Sequence, residues 1–243
     1  MGKTEFITKL RIRTVSSVLG GFEAVFFYPK LKRLISNLLA ESLNEQTKIL
    51  DIGGNRGQTV KFFRKLFPNA QIISFEPIPN LAQKIRALRD SNLVVHQIAL
   101  SNITGRSTFY ESRLDETSSL NPPNLDSTWH RFRSSVLGVN PTKMFKQIEV
   151  QVETLDNLFS NDTKNRFLIL KIDVEGSELH VLKGALDLLA NKSFDLIQLE
   201  RHQDDLRKDD FPDIQNLLSS FGYKHVKTLK HPFGNFSEEI FQV

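Results

Sequence analysis

Acidic side chains stand at the ends of four apolar runs of this chain. Asp51 follows Lys48-Ile49-Leu50, Glu76 follows Ile72-Ile73-Ser74-Phe75, Asp173 and Glu175 follow Phe167 to Ile172, and Glu200 follows Phe194 to Leu199. Lys171 precedes Asp173 by two positions, and His202 follows Glu200 by two. Such a set can accept ribose hydroxyls and can take a proton from a nucleophile. Strands buried between helices gain nothing from terminal carboxylates, and burying an unpaired one costs on the order of several kcal/mol. The set therefore reads as a site. Glu178 reads better as a helix cap or an ion-pair member.

The first two acids frame a glycine-rich turn, Asp51-Ile52-Gly53-Gly54-Asn55-Arg56-Gly57. The spacing is Asp51-x-Gly53-x-Asn55-x-Gly57, not the G-x-G-x-x-G of a dinucleotide site. A pyrophosphate needs a bare helix N-terminus, and a strand ending in a carboxylate repels it. A ligand carrying an amino group suits that carboxylate, and S-adenosylmethionine offers ammonium, sulfonium and ribose in a row. Glu76 falls near the roughly 20-residue spacing expected of an acid that binds ribose hydroxyls.

The elements that position these residues follow from hydrophobic period. Val60, Phe63, Leu66 and Phe67 recur at helical spacing between two apolar runs, which makes residues 48–76 a strand-turn-helix-strand unit. Leu31, Leu34, Ile35, Leu38, Leu39 and Leu43 form one helical stripe over 29–43, with Pro29 at its start. Pro79 opens a helix carrying Leu81, Ile85 and Leu88, and Leu93 to Ser101 holds a strand and its exit. Gly105 to Glu111 and Gln147 to Val152 alternate as strands. Leu179, Leu182, Leu186 and Leu189 form one helix after Asp173-Val174-Glu175-Gly176-Ser177. Pro212 to Phe221 is a further helix, and Tyr223 to Leu229 and Glu239 to Val243 are closing strands. Alternating strands and helices predict an α/β fold, a mostly parallel sheet with helices on both faces. Ligands of such a sheet bind outside the carboxyl ends of its strands, where the acids stand.

Residues 112–146 interrupt the rhythm as a polar insertion holding Trp129, His130, Arg131 and Arg133. An insertion of that length and mixture is expected to meet an acceptor. His130 reads as a surface histidine, and His202 stands between that reading and a catalytic one.

The 243 residues are 40% hydrophobic and 25% charged, with formal charge +4 and no cysteine. One sizeable domain is expected, after an N-terminal helical extension over 1–47. Disulfides and thiolate metal sites are excluded. Scattered basic residues and no recognisable binding motif argue against nucleic acid. With no signal-peptide pattern and no run near the roughly 18 apolar residues of a spanning helix, a cytoplasmic protein is expected. Lys3, Lys9, Arg11 and Arg13 among apolar residues suit a peripheral membrane contact, though a helix packed on the domain is the plainer reading.

These motifs resemble a known family. Asp51 to Gly57, Phe75-Glu76-Pro77, Ala99-Leu100-Ser101-Asn102, Ser118-Ser119-Leu120, Thr154-Leu155-Asp156, and Lys171-Ile-Asp-Val-Glu-Gly-Ser-Glu178 followed by Leu182-Lys183-Gly184 are similar to the FkbM family of S-adenosylmethionine-dependent methyltransferases. The resemblance runs from about Lys48 to about His202, and the Lys171–Glu178 block is its most specific part. It implies the seven-stranded class I fold with a final antiparallel strand. It also implies O-methylation of a sugar, glycolipid or polyketide hydroxyl. By resemblance, Asp51, Gly53 and Gly57, with Gly54 and Asn55 in the same turn, hold the methionine end of the cofactor. Glu76 binds the ribose, and Pro77-Ile78 and Ala99-Leu100 flank the adenine.

Methylating an alcohol requires alignment and removal of its proton. Asp173 is the first-choice base, with Glu175 or His202 next and Lys171 as its partner. A magnesium ion held by Asp173 and Glu200 would serve instead. Methylation of nitrogen or a carboxyl group, which needs no strong base, is the runner-up. A non-catalytic cofactor-binding partner subunit and a nicotinamide dehydrogenase are the readings from other classes.

Overall fold

The computed structural model describes residues 27–40, 47–112, 117–137, 140, 144–159, 166–203, 206, 208–232 and 235–243. Most of the N-terminal extension, its basic residues included, lies outside them. In chain order the described helices are α1 (Tyr28–Leu38), α2 (Gln58–Leu66), α3 (Pro79–Arg86), α4 (Thr128–Leu137), α5 (Leu155–Phe159), α6 (Glu178–Lys183), α7 (Leu186–Ala190) and α8 (Phe211–Ser220). The strands are β1 (Lys48–Ile52), β2 (Gln71–Phe75), β3 (Leu93–His96), β4 (Ala99–Leu100), β5 (Gly105–Ser112), β6 (Phe145–Glu153), β7 (Phe167–Ile172), β8 (Phe194–His202), β9 (Lys224–Lys230) and β10 (Phe236–Gln242).

Seven strands form one sheet in the order β3-β2-β1-β7-β8-β10-β9. The first five are parallel, and β10 runs antiparallel between β8 and β9. This is the class I methyltransferase fold. Its parallel strands are short continuous apolar runs because helices cover both faces. Ile49, Ile72, Ile169, Leu196 and Ile240 pack with Leu31 and Ile35 of α1 and Val60 and Phe63 of α2. Leu50, Ile73, Leu170, Ile197 and Phe241 pack on the other face with Leu182, Leu188 and Leu218.

Four elements differ from the sequence expectation. α1 ends at Leu38, and Leu43 lies outside the described residues. The expected single helix after Ser177 is two, α6 and α7, and Leu186 is exposed rather than turned inward. The break has a packing cause: a Cβ on Gly184 would lie 2.0 Å from the carbonyl oxygen of Ser101. β4 leaves the main sheet and joins β6 and β5 in a three-stranded one. The insertion contains helix α4, and His130 on it is fully buried, 5.7 Å from the Phe145 ring. That burial overturns the surface reading.

No described helix is long and apolar enough to cross a membrane.

Candidate active site

The turn after β1 is set by what surrounds each glycine. Gly53 has φ of +87°, and a Cβ there would lie 1.8 Å from the carbonyl oxygen of Asp173. The β1 and β7 ends thus touch through backbone, and Asp173 N–H donates to Ile52 O at 2.9 Å. Gly54 has an ordinary φ but no room, since its Cβ would meet Ser74 Oγ at 2.2 Å. Both glycine amides donate to Phe75 O at 3.0 Å, which ties the turn to β2. Gly53→Ala combines a positive φ with a backbone clash, so it should destabilise the fold by at least ~2 kcal/mol. Gly105→Ala (φ +114°, nothing within 4 Å) incurs only the backbone part. Melting temperatures of the two variants check this; equal shifts would refute the packing role.

Glu76, at the tip of β2, is 5% exposed. Its Oε2 accepts the Asn55 N–H at 2.9 Å and its Oε1 the Ile78 N–H at 2.8 Å. One carboxylate so braces both the glycine turn and the start of α3. Asp51 is 1% exposed; its Oδ2 accepts the Ser74 hydroxyl at 2.8 Å, while its buried Oδ1 has no hydrogen-bond partner. Burial pushes the Asp51 carboxyl up to about 6, against the Ser74 bond and the Lys171 charge, which lower it.

Register places Ser74, Asp51, Lys171 and Gln198 side by side on β2, β1, β7 and β8. All four are buried, so a polar row crosses the sheet just beyond the apolar one. Lys171 Nζ lies 3.5 Å from Asp173 Oδ2 and 3.5 Å from Glu238 Oε1. Burial alone would depress the lysine, but Asp173, Glu238, Glu200 and Asp51 outweigh it and hold the ammonium above its ordinary range. Burial likewise opposes the charge of Asp173, and Lys171, a Glu200 hydrogen bond and His202 overcome it, so its pKa is lowered. Burial and the Asp173 charge together hold Glu200 well above the carboxylate range, despite His202. His202 Nε2 stands 3.5 Å from Glu175 and 3.7 Å from Glu200. Burial works against its charge, and Glu175, Glu200 and Asp173 raise its pKa well above the usual value. The rim thus sets Asp173, held below its ordinary range, between the Lys171 ammonium and a Glu200 carboxyl held above its own.

The loop that carries Asp173 and Glu175 is held from two sides. Glu178 Oε1 accepts the N–H groups of Val174 and Gly176 at 3.2 and 3.1 Å and so braces the loop. Ser119 of the insertion donates to Val174 O at 3.0 Å, and Asn121 Nδ2 donates to Gly176 O. Glu175 sits at φ +57°, a conformation that costs a non-glycine residue roughly 1–3 kcal/mol. These bonds hold it there.

The model of the methyltransferase FkbM domain matches residues 51–225. The chain belongs to the FkbM methyltransferase family. It is 27% identical over 196 residues to the 2-O-methyltransferase NoeI of Sinorhizobium fredii (strain NBRC 101917 / NGR234), covering 79% of this chain and 78% of that one. It is 26% identical over 193 residues to Methyltransferase 1 of Beauveria bassiana (strain ARSEF 2860), covering 72% and 71%. Among solved structures, the METTL16 methyltransferase domain superposes with a TM-score of 0.50 at 9% identity, covering 86% of this chain and 64% of that one. That likeness concerns the fold alone.

This FkbM protein is an S-adenosylmethionine-dependent methyltransferase, and its site fits that cofactor. The partnerless Oδ1 of Asp51 suits the ammonium of the methionine end. Glu76 stands one strand over with further lone pairs for ribose hydroxyls. Pro77 is half-buried, and Ile78 and Ala99 share one apolar cluster with Phe109 and Val152, a surface suited to an adenine edge. Leu100 lies instead in the main core. The magnesium candidates Asp173 and Glu200 fall into different groups of potential ligands, Asp173 with Glu175 and His202, and Glu200 with His231 and Glu238. Sequence reasoning missed Ser74, Gln198, Ser119, Asn121 and Glu238; only Ser119 carried a signal, in the Ser118-Ser119 motif.

The raised carboxyl of Asp51 has a consequence for binding. An ammonium pairs with the ionised form, so affinity for S-adenosylhomocysteine should fall as pH drops through about 6. The limit is tenfold per pH unit, with one proton displaced per ligand bound. Calorimetry at pH 5 and 7.5 checks it, and Asp51→Asn should bind weakly without that slope.

Proposed function

We propose that this enzyme methylates a hydroxyl oxygen of a sugar, glycolipid or polyketide-type acceptor, with Asp173 taking the proton. The observation that carries the reading is the contact between the Asp173 backbone and Gly53. It supports the reading because the Asp173 residue adjoins the glycine turn that, by this proposal, receives the methionine end of the cofactor. When bound, S-adenosylmethionine supplies a methyl group on a sulfonium; the O–CH3 bond forms as the C–S bond breaks, and that electron pair stays on sulfur. An alcohol oxygen turns acidic as it bonds to carbon, so even a carboxylate of lowered pKa accepts its proton. Lys171 at 3.5 Å keeps Asp173 ionised beforehand. Magnesium shared by Asp173 and Glu200 gains no support from the geometry, since the two fall into different groups of potential ligands. The relative named a 2-O-methyltransferase supports oxygen as the target.

The test is incubation with S-adenosylmethionine carrying a labelled methyl group and a panel of hydroxylated sugars, glycolipids and polyketides. NMR of the product then locates the label. A methyl ether is the expected product; a methylamine or a methyl ester would overturn the oxygen reading.

A further inference from the structure

The polar row continues into a group that neither the cofactor turn nor Asp173 requires. Glu200 of β8 and Glu238 of β10 are direct partners across the antiparallel pair. Their side chains therefore leave the same face of the sheet, and like charges directly opposite are destabilising. Glu238 is 5% exposed, and its Oε2 has no hydrogen-bond partner. Its Oε1 shares the Lys171 ammonium with Asp173 at 3.5 Å each, so one cation serves two carboxylates. Gln198, two residues before Glu200 on the same face, is 2% exposed and has a buried, partnerless Oε1. Potential ligand atoms of Glu200, His231 and Glu238 lie within 4.8 Å of one another. The His231 ring is clamped between Phe27 at 3.6 Å and Phe236 at 4.1 Å, which fixes its plane.

We propose that Glu200, His231 and Glu238 bind a divalent first-row transition-metal ion, with Gln198 Oε1 as an adjoining oxygen donor. Two carboxylates and an imidazole suit manganese, iron or zinc better than magnesium, which prefers oxygen and water. The ion supplies the positive charge that two opposed buried carboxylates and one shared lysine leave wanting. It also ties the β8–β10 pair to the start of α1, because the coordinating imidazole is the ring that Phe27 covers. Asp51 and Glu76 are not members of the group, so the site is distinct from the cofactor turn. The rim group of Asp173, Glu175 and His202 is the competing location, but it belongs to the reaction already described and contains no fully buried member, whereas Glu238 is 5% exposed. The inference goes beyond the methyltransferase reading and does not depend on it.

The test uses the full chain, treated with a chelator, desalted and titrated with manganese alone by calorimetry and by water-proton relaxation. One ion per chain is expected, and a melting temperature that rises with manganese concentration reports binding without any variant. Glu238→Gln should weaken binding at least tenfold. So should His231→Phe, which keeps an aromatic ring in the stack. Glu175→Gln should leave binding within threefold. No saturable uptake up to about 1 mM, the scale of non-specific carboxylate binding, overturns the proposal. So does uptake lost in Glu175→Gln but kept in Glu238→Gln, which would place the ion at the rim.

Discussion

Asp173→Asn is expected to lower kcat by roughly 10²–10⁴-fold, the range in which a positioned general base contributes, while S-adenosylhomocysteine affinity changes less than threefold. The two halves of this expectation come from different atoms. The contact with Gly53 and the bond to Ile52 use the Asp173 backbone, which asparagine keeps. The pairing with Lys171 and the acceptance of the proton use the carboxylate, which asparagine lacks. An amide presents a similar shape but no basic oxygen, so an aligned hydroxyl would stay protonated as its bond to carbon forms. Unchanged ligand affinity shows that the variant is folded and that the fall lies in chemistry. A rate that survives the substitution would mean that no base acts, and would favour methylation of nitrogen or a carboxyl group. Lys171→Met is expected to reduce the rate as well, since Asp173 then loses the charge that outweighs its burial.

The structure of the glycine turn was legible in the sequence because everything it needs lies in one stretch. Strand, glycine turn, helix and second strand run from Lys48 to Glu76, and their register follows from a single right-handed crossover. The Lys171–Glu178 segment was legible for a similar reason, since Lys171 and Asp173 stand at the end of one strand and Glu178 opens the helix after the turn. Glu238 and Gln198 were not legible. Their meeting with Lys171 depends on β10 entering the sheet antiparallel between β8 and β9, and nothing local to Phe236–Gln242 announces that order. The sequence pattern also begins the last strand at Glu239, three residues after its start at Phe236. In the sheet both glutamates of that strand are buried, Glu238 toward Lys171 and Glu239 bonded to His225, Thr228 and Ser237 on the other face. His130 and the division between α6 and α7 failed for a related reason. Each is decided by a tertiary neighbour, the Phe145 ring in one case and the Ser101 carbonyl in the other. Hydrophobic period reports which face of an element is apolar, and it carries no information on which distant atom meets that face.

Glu76→Ala should weaken S-adenosylhomocysteine binding by at least tenfold, because ribose hydroxyls lose a charged acceptor that accounts for roughly 1.5–3 kcal/mol. The structure adds a second contribution. The same carboxylate accepts the Asn55 and Ile78 amides, so alanine would also strand those two N–H groups and loosen the turn before any ligand arrives. Glu76→Gln separates the contributions. Its single carbonyl oxygen can still accept one amide, but its NH2 group meets the other as donor against donor. Affinity for the glutamine variant is therefore expected between wild type and alanine, and its melting temperature should fall less. Asp51 lies across the turn, and its partnerless Oδ1 is the acceptor proposed for the amino end. A ligand without the ribose, such as homocysteine alone, should consequently be insensitive to Glu76→Gln and sensitive to Asp51→Asn. Calorimetric titration of wild type and the three variants with S-adenosylhomocysteine and with homocysteine measures all of this. Wild-type affinity in Glu76→Ala would show that the carboxylate only braces the turn and that the ribose is held elsewhere.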